Sequence, residues 1–214
     1  MEDRITPGLY LEMCDHTPTE YAATRVPEVL TLDRVERATW WENTSPGRTD
    51  LPRRIPEFTL LGVYETDPDF GPPTTPTGVT GYHFRHFPRP GQGRLCDRPT
   101  LGLLFVLISP REPAQAAALR DWSDFVHIHQ IAEAGIPHYT MITPYENVTG
   151  ADPRFLHLYE MDTDDPEPAF RAMTPRVIKQ IGKPGTTGFD KWATTPELQI
   201  VYVNTFRRLG EARP

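Results

Sequence analysis

The feature that most constrains the fold is an order of hydrophobic patterns that occurs twice in the 214-residue chain. In residues 8–67, a short alternating run precedes a helix-like stretch and two further apolar runs. In residues 101–162 the same order returns, with a more fully apolar first run. Alternation with a period of two predicts strands, and a capped stretch with helical periodicity predicts a helix. The sequence therefore predicts an α+β fold built from two β-α-β-β units.

The first unit is expected to begin with a strand over residues 8–15. Thr17 and Pro18 then indicate a helix start, with Thr17 as the cap, Pro18 at the first helical position and Glu20 three residues after the cap. The helix is predicted over 18–32, with a kink or break at Pro27. Two further strands are predicted, over residues 35–42 and 58–65.

The second unit is expected to begin with a central strand over residues 101–109. A helix is predicted over 110–134, and Gly135 is positioned to end it as a C-cap. Strands are predicted over 138–144 and 155–162.

The helices of the two units align at one offset. Tyr21 then matches Trp122 and Val26 matches His127, while the closing strands match Tyr64 with Tyr159 at a slightly smaller offset. Residue identity is otherwise very low, so an internal duplication rests on element order and hydrophobic pattern.

Two segments lie outside the units. Residues 68–100 are rich in proline and glycine and show no clear secondary structure, which is typical of a linker or a lid. Residues 163–214 are expected to be a C-terminal helical extension: a helix over 168–181, a glycine-rich turn, and an apolar run over 198–209 that we also expect to be helical.

Composition limits the partners. Lys and Arg total 22 against 29 Asp and Glu, and no basic run stands out, so no nucleic acid is expected as a partner. No apolar run approaches the length of a membrane span, and no membrane association is expected. The N-terminus lacks the pattern of a leader, so Cys14 and Cys96 are expected to be reduced thiols of a cytoplasmic protein. A small hydrophobic molecule suits this acidic surface better.

The β-α-β-β unit resembles the half-unit of the dimeric α+β barrel (ferredoxin-like) superfamily. The second half is similar to its EthD/Dabb-type group, in which a helix carries an aromatic residue, a histidine five positions on and a glycine near its end. Those positions are Trp122, His127 and Gly135, whereas the first half has Tyr21 and then Val26 in place of the histidine. The resemblance covers residues 8–67 and 101–162. It implies two ferredoxin-like repeats that form a pseudo-dimeric α+β barrel around a cavity, with a homodimer still possible.

The candidate catalytic residues lie on the helix of the second unit. His127 is a candidate general acid or base, because imidazole titrates near neutral pH. Asp124 lies three residues earlier on the same helical face and could orient its ring, or be a surface charge. His129 is about 200° from His127 around a helix. A shared metal site is therefore not expected, and ordinary helix histidines remain an alternative.

Aromatic and imidazole side chains elsewhere are candidates for substrate binding. His83 and His86 lie in residues 68–100, where they could close over a pocket or cover a sheet edge. Strand periodicity places His157 and Tyr159 on one face, which is expected to point into the barrel. The full set of candidates, which could equally be plain core, is Trp122, His83, His86, Tyr139, His157, Tyr159 and Trp40.

These residues favour a cofactor-independent enzyme, a lyase, isomerase, cyclase or oxygenase, that uses histidine acid/base chemistry on a small hydrophobic carbonyl or phenolic compound. No cofactor is expected, since the nucleotide- and phosphate-binding glycine motifs are missing from the sequence. Two alternatives remain. One is a non-catalytic ligand-binding or scaffold protein; the other is a haem-binding barrel, because related barrels hold haem through a helix histidine.

Overall fold

The computed structural model describes residues 5–89, 92–93 and 98–214. The fold is α+β, and all its strand pairs are antiparallel. The described strands are β1 Gly8–Cys14, β2 Val35–Asn43, β3 Leu60–Thr66, β4 Thr80–His86, β5 Gln92–Gly93, β6 Gly102–Pro110, β7 Tyr139–Asn147, β8 Phe155–Met161 and β9 Leu198–Ala212. The described helices are α1 Pro18–Ala23, α2 Arg25–Leu30, α3 Ala116–Trp122, α4 Ile128–Glu133, α5 Pro166–Ile181 and α6 Thr187–Ala193.

Eight of these strands close into a barrel. Their order is β4-β1-β3-β2-β9-β6-β8-β7, and β7 pairs back onto β4, while β5 adds to the outer edge of β7. The two halves meet at β2–β9 and at β4–β7. Within each half the strands follow the same spatial order, in which the fourth strand along the chain lies beside the first.

The first helical segment begins where the sequence predicts. The Thr17 side chain accepts a hydrogen bond from the backbone N–H of Glu20 at 3.3 Å, and Pro18 is the first helical residue. The break falls at Thr24, between α1 and α2, and not at Pro27. Pro27 lies in the first turn of α2, where backbone N–H groups have no partner within the helix. Its missing N–H therefore costs no hydrogen bond.

Two expectations about secondary structure are wrong. The apolar run over 198–209 is the long strand β9, not a helix, and it lies between β2 and β6 at the junction of the halves. Residues 68–100 are not without structure, because β4 pairs with both β1 and β7. β4 and β9 are strands because partners distant along the chain satisfy their backbone groups. The division of the chain into four segments stays a prediction.

The helix predicted over 110–134 is shorter and interrupted. Pro110 ends β6, a 3₁₀ turn spans Pro113–Gln115, and a π-helical turn, Ser123–His127, separates α3 from α4. β7 also runs past Pro144 into the segment expected to be a loop. Turns of this π type are frequent at functional sites.

The core has an inner and an outer part. Alternate residues of each strand fill the barrel, while the others pack against α1 and α2 in the first half and α3 to α6 in the second. Cys14 is a buried free thiol on the outer side, and burial raises its pKa; Cys96 lies outside the described residues. None of the described helices is long and apolar enough to span a bilayer.

Candidate functional site

A cavity of about 190 Å³ lies in the second half, between the outer face of the sheet and the helices. It is not inside the barrel, where the face carrying His157 and Tyr159 was expected to point. Its wall is almost wholly apolar or aromatic, and among the described residues none that lines it is an acid, a lysine or an arginine. The lining residues are Leu51, Leu104, Val106, Ile108, Trp122, His127, His157, Tyr159, Phe170, Met173, Ala193, Leu198, Ile200 and Val203.

Large aromatic side chains occupy the middle of the barrel interior. Phe58 stacks on Tyr202 and on Phe206, with ring centroids 4.8 and 5.5 Å apart, and Phe105 packs edge-on to these rings. Trp41 is fully buried in the same cluster. Close packing of this kind is typical of a protein core.

His127 is held in one orientation at the cavity wall. Its ring stacks on Trp192 with centroids 5.3 Å apart and planes 9° apart, and Trp122 lies 5.0 Å away on another side. Nδ1 lies 3.0 Å from the backbone carbonyl of Trp192. Because a carbonyl can only accept, Nδ1 carries the proton and Nε2 has a free lone pair. Burial lowers the pKa of His127, so the neutral ring is the form present near neutral pH.

His157 and Tyr159 lie on the outer face of β8 and complete the polar part of the wall. Burial, with smaller effects of Arg120 and His127, lowers the pKa of His157 to about 3. Burial also raises the pKa of Tyr159. His157 is therefore a neutral imidazole and Tyr159 a protonated phenol. Both can exchange hydrogen bonds with a ligand without carrying charge.

Asp124 does not orient His127. It lies in the π-helical turn, where its carboxylate accepts hydrogen bonds from Arg89 at 3.1 Å and from Ser123 at 3.4 Å. The π-helical turn changes the angular spacing that a regular helix would give, so three residues no longer bring the two side chains together. The backbone carbonyl of Trp192 takes the orienting position instead.

The other sequence candidates lie away from the cavity. His129 is half-exposed, with Nε2 3.3 Å from a carboxylate oxygen of Glu133. His83 packs edge-on against Phe70 on the outer face of the first half, and His86 packs against Tyr145. Trp40 lies over Gly210, and the ring of Tyr139 lies 5.9 Å from that of Tyr159, behind the wall.

In the first half, a buried polar cluster occupies the position that corresponds to the cavity. Glu12 lies opposite Gly62 on neighbouring strands, as Val106 lies opposite His157 in the second half. Glu12 is fully buried and accepts hydrogen bonds from the side chains of Tyr10, Tyr21 and Arg25. At this position the first half is therefore filled by polar side chains, whereas the second half contains the cavity.

Sequence reasoning missed the part of the wall that comes from the C-terminal segment. Trp192 on α6 orients His127, and Phe170 and Met173 on α5 close one side. Leu198, Ile200 and Val203 of β9 supply another side, with a β-bulge between Ile200 and Tyr202. The run of β-branched and aromatic residues from Ile200 to Val203 is the signal that could have indicated a strand.

Within the described residues, no group of three or more His, Cys, Asp or Glu side chains could hold a metal ion. No protein-family model matches the chain, and no curated protein sequence does.

Solved structures do share the fold. The chain is similar to an anthrone oxidase-like protein at a TM-score of 0.56 and 12% identity, covering 100% of this chain and 95% of the other. It is also similar to a major regulator of staphylococcal pathogenesis, with a TM-score of 0.53, 8% identity and coverage of 95% and 99%. A proposed monooxygenase from Lactobacillus acidophilus NCFM matches with a TM-score of 0.50 and 9% identity, covering 98% of this chain and 97% of the other. At these identities the likeness shows the fold alone, that of a dimeric α+β barrel.

Proposed function

We propose that the chain is an enzyme that binds a small hydrophobic phenol or carbonyl compound in the second-half cavity and moves a proton with His127. The observation that carries the proposal is the hydrogen bond between Nδ1 of His127 and the carbonyl of Trp192, which makes Nε2 the basic nitrogen of a residue that lines the apolar cavity. A lone pair held in this way is what a general base requires. The fold shared with oxidase-like and monooxygenase-like proteins favours an oxygenase or oxidase among the possible chemistries.

The cavity supports the proposed chemistry in two ways. Its volume, about 190 Å³, is below the 300–1,000 Å³ range typical of drug-sized ligands, which favours a one- or two-ring compound. Its neutral polar groups, His157 and Tyr159, can hydrogen-bond to the oxygen of a phenol or carbonyl as negative charge develops there. The apolar surroundings strengthen such contacts by excluding water.

Haem fits this site poorly. His127 is the residue that would hold the haem iron, but the cavity, at about 190 Å³, is too small for a haem macrocycle. Among the described lining residues, no cationic side chain is available for haem carboxylates. We therefore derive no chemistry through haem.

We also propose that the two halves are ferredoxin-like repeats of one ancestral unit. Their common strand order and the correspondence of Glu12–Gly62 to Val106–His157 support this proposal. A chain that contains both halves completes the barrel by itself, and a homodimer stays a prediction.

The proposal is tested with a panel of one- and two-ring phenols and enolisable ketones. Ligand binding is measured from the shift in melting temperature, and turnover from product formation in air. General acid–base catalysis contributes about 10²- to 10⁴-fold, so we expect His127→Ala to lower kcat by about 100-fold or more. His129→Ala is the matched control on the same helical segment, and we expect it to retain wild-type turnover.

Three outcomes are decisive. If turnover survives His127→Ala unchanged, His127 is not the base. If compounds bind but none is turned over, the non-catalytic alternative replaces the enzyme. If no compound raises the melting temperature, the cavity is not a binding site.

A further inference from the structure

A buried arginine lies beside the cavity with its terminal nitrogens unpartnered. Arg120 on α3 is 3% exposed, and neither Nη1 nor Nη2 makes a hydrogen bond to any residue that the structure describes. Its guanidinium carbon lies 3.4 Å from the ring centroid of Phe87 and 4.0 Å from that of Phe155. Cation–π contacts stabilise this arrangement, but burial of a charge without hydrogen bonds is costly.

Arg120 is separated from the cavity by an aromatic ring. Phe155 and His157 are two residues apart on the outer face of β8, so their Cα atoms are about 7 Å apart. Phe155 also packs in the cluster that includes Ile108, which lines the cavity. The charge of Arg120 thus lies roughly 10 Å from the cavity, across apolar material that screens it weakly.

Neighbouring charges do not cancel that of Arg120. Arg89 pairs with Asp121 and Asp124, and both Arg85 and Arg154 pair with Glu146. Among the residues that the structure describes, the cluster with Arg120 holds four arginines and three carboxylates, which leaves one positive charge. The carboxylate of Asp124, although buried, is already bonded to Arg89 and Ser123. Burial lowers the pKa of Arg120 only to about 10, so it stays protonated at neutral pH.

We propose that Arg120 is a positioning residue whose buried charge makes the cavity favour substrates as phenolate or enolate anions, at the end near His157. This inference rests on the proposed function and names its substrate class: compounds with an acidic O–H, or an acidic C–H next to a carbonyl. The O–H or C–H bond breaks, its electron pair stays on the substrate, and the proton passes to Nε2 of His127 and then to solvent. The positive charge of Arg120 stabilises the resulting anion through its electric field, without direct contact between the two groups.

The test measures the ionisation of a bound phenol. p-Nitrophenol is used as the probe, because its phenolate absorbs visible light, and it is titrated with pH in the presence of saturating protein. A unit charge roughly 10 Å away at an effective dielectric constant of about 20 shifts a pKa by about one unit. We therefore expect Arg120→Met to raise the apparent pKa of the bound phenol by about one unit, equivalent to about tenfold weaker preference for the anion.

Three variants serve as comparisons. Arg120→Gln is a second neutral variant for use if Arg120→Met does not fold, as judged by circular dichroism. Arg120→Lys keeps the charge and should stay close to the wild type. Arg171→Met removes the charge of an arginine that is 62% exposed, and water should screen its effect.

The outcomes separate the two proposals. A phenol pKa that is the same in the wild type and both neutral Arg120 variants overturns the role of Arg120 and leaves the proposed function standing. An equal shift in Arg171→Met also overturns it, because the effect would then follow net charge alone. Failure of p-nitrophenol to bind any variant or the wild type overturns the proposed binding site itself, and this inference with it.

Discussion

Replacement of Glu12 by valine would remove the centre of the buried polar cluster in the first half. Both carboxylate oxygens lie 3.0 Å from Nε of Arg25, and one lies 2.5 Å from its Nη2. The hydroxyls of Tyr10 and Tyr21 donate to the same carboxylate at 2.9 and 3.0 Å. Arg25 is 5% exposed, and in Glu12→Val we expect it to keep its ion pair with the exposed Glu28.

The expected loss of stability follows from the groups that Glu12→Val leaves without a partner. Loss of one partner of a buried ion pair costs about 3–5 kcal/mol. Two tyrosine hydroxyls also lose an acceptor, although Tyr21 keeps its bond to Tyr64 at 2.7 Å, so the free energy of unfolding should fall by about 4 kcal/mol or more. The double variant Glu12→Val, Arg25→Leu removes both charges. Since apolar replacement of a complete buried pair is often neutral, it should recover most of the loss.

Urea unfolding of the wild type, both single variants and the double variant closes a thermodynamic cycle. Because the double variant is expected to be more stable than either single variant, we expect a coupling energy of about 4 kcal/mol or more between Glu12 and Arg25. The reasoning is refuted if Glu12→Val loses less than about 1 kcal/mol, or if the double variant is less stable than both single variants.

Two further predictions test the packing and the electrostatics of the two halves. In Gly62→Ala, the added Cβ would lie 1.9 Å from the hydroxyl oxygen of the fully buried Tyr21. We expect a loss of about 1–3 kcal/mol in urea unfolding, against little change for Gly47→Ala, whose Cβ meets nothing within 4 Å; equal losses would contradict it. His157 has a pKa of about 3 in the folded state, against about 6.5 for an unperturbed histidine. Between these values the unfolded state binds a proton that the folded state does not. The free energy of unfolding is therefore highest above about pH 6.5 and falls as the pH is lowered. His157→Leu should reduce this acid dependence by up to about 1.4 kcal/mol per pH unit, and an unchanged slope of unfolding free energy against pH would count against the buried neutral imidazole.

Local sequence signals predicted the strands and helix start that depend on neighbouring residues. Thr17 and Pro18 form the expected cap because that geometry is contained in four residues. The alternation in residues 8–15 likewise places Leu9 and Leu11 inside the barrel. β4 could not be predicted in this way, because it becomes a strand through pairing with β1 and β7, which are distant along the chain.

The candidate site was predicted in part. The match of Val26 to His127 indicated that the two halves differ, and His127, His157, Trp122 and Tyr159 do lie together on one cavity wall. Their location outside the barrel was not predicted, because alternation shows which residues share a face but not which face is inside. Trp192 was missed because the C-terminal segment was expected to lie outside the repeats.

Strand β8 shows how the chemistry of this chain is separated from its folding. Leu156 and Leu158 point into the barrel core, while His157 and Tyr159, their immediate neighbours, face the cavity. Because the two sets face opposite sides of one sheet, substitutions in the cavity wall can be accepted one at a time without repacking the barrel. A strand of this kind gives evolution a place to change specificity, while residues on its opposite face keep the fold stable.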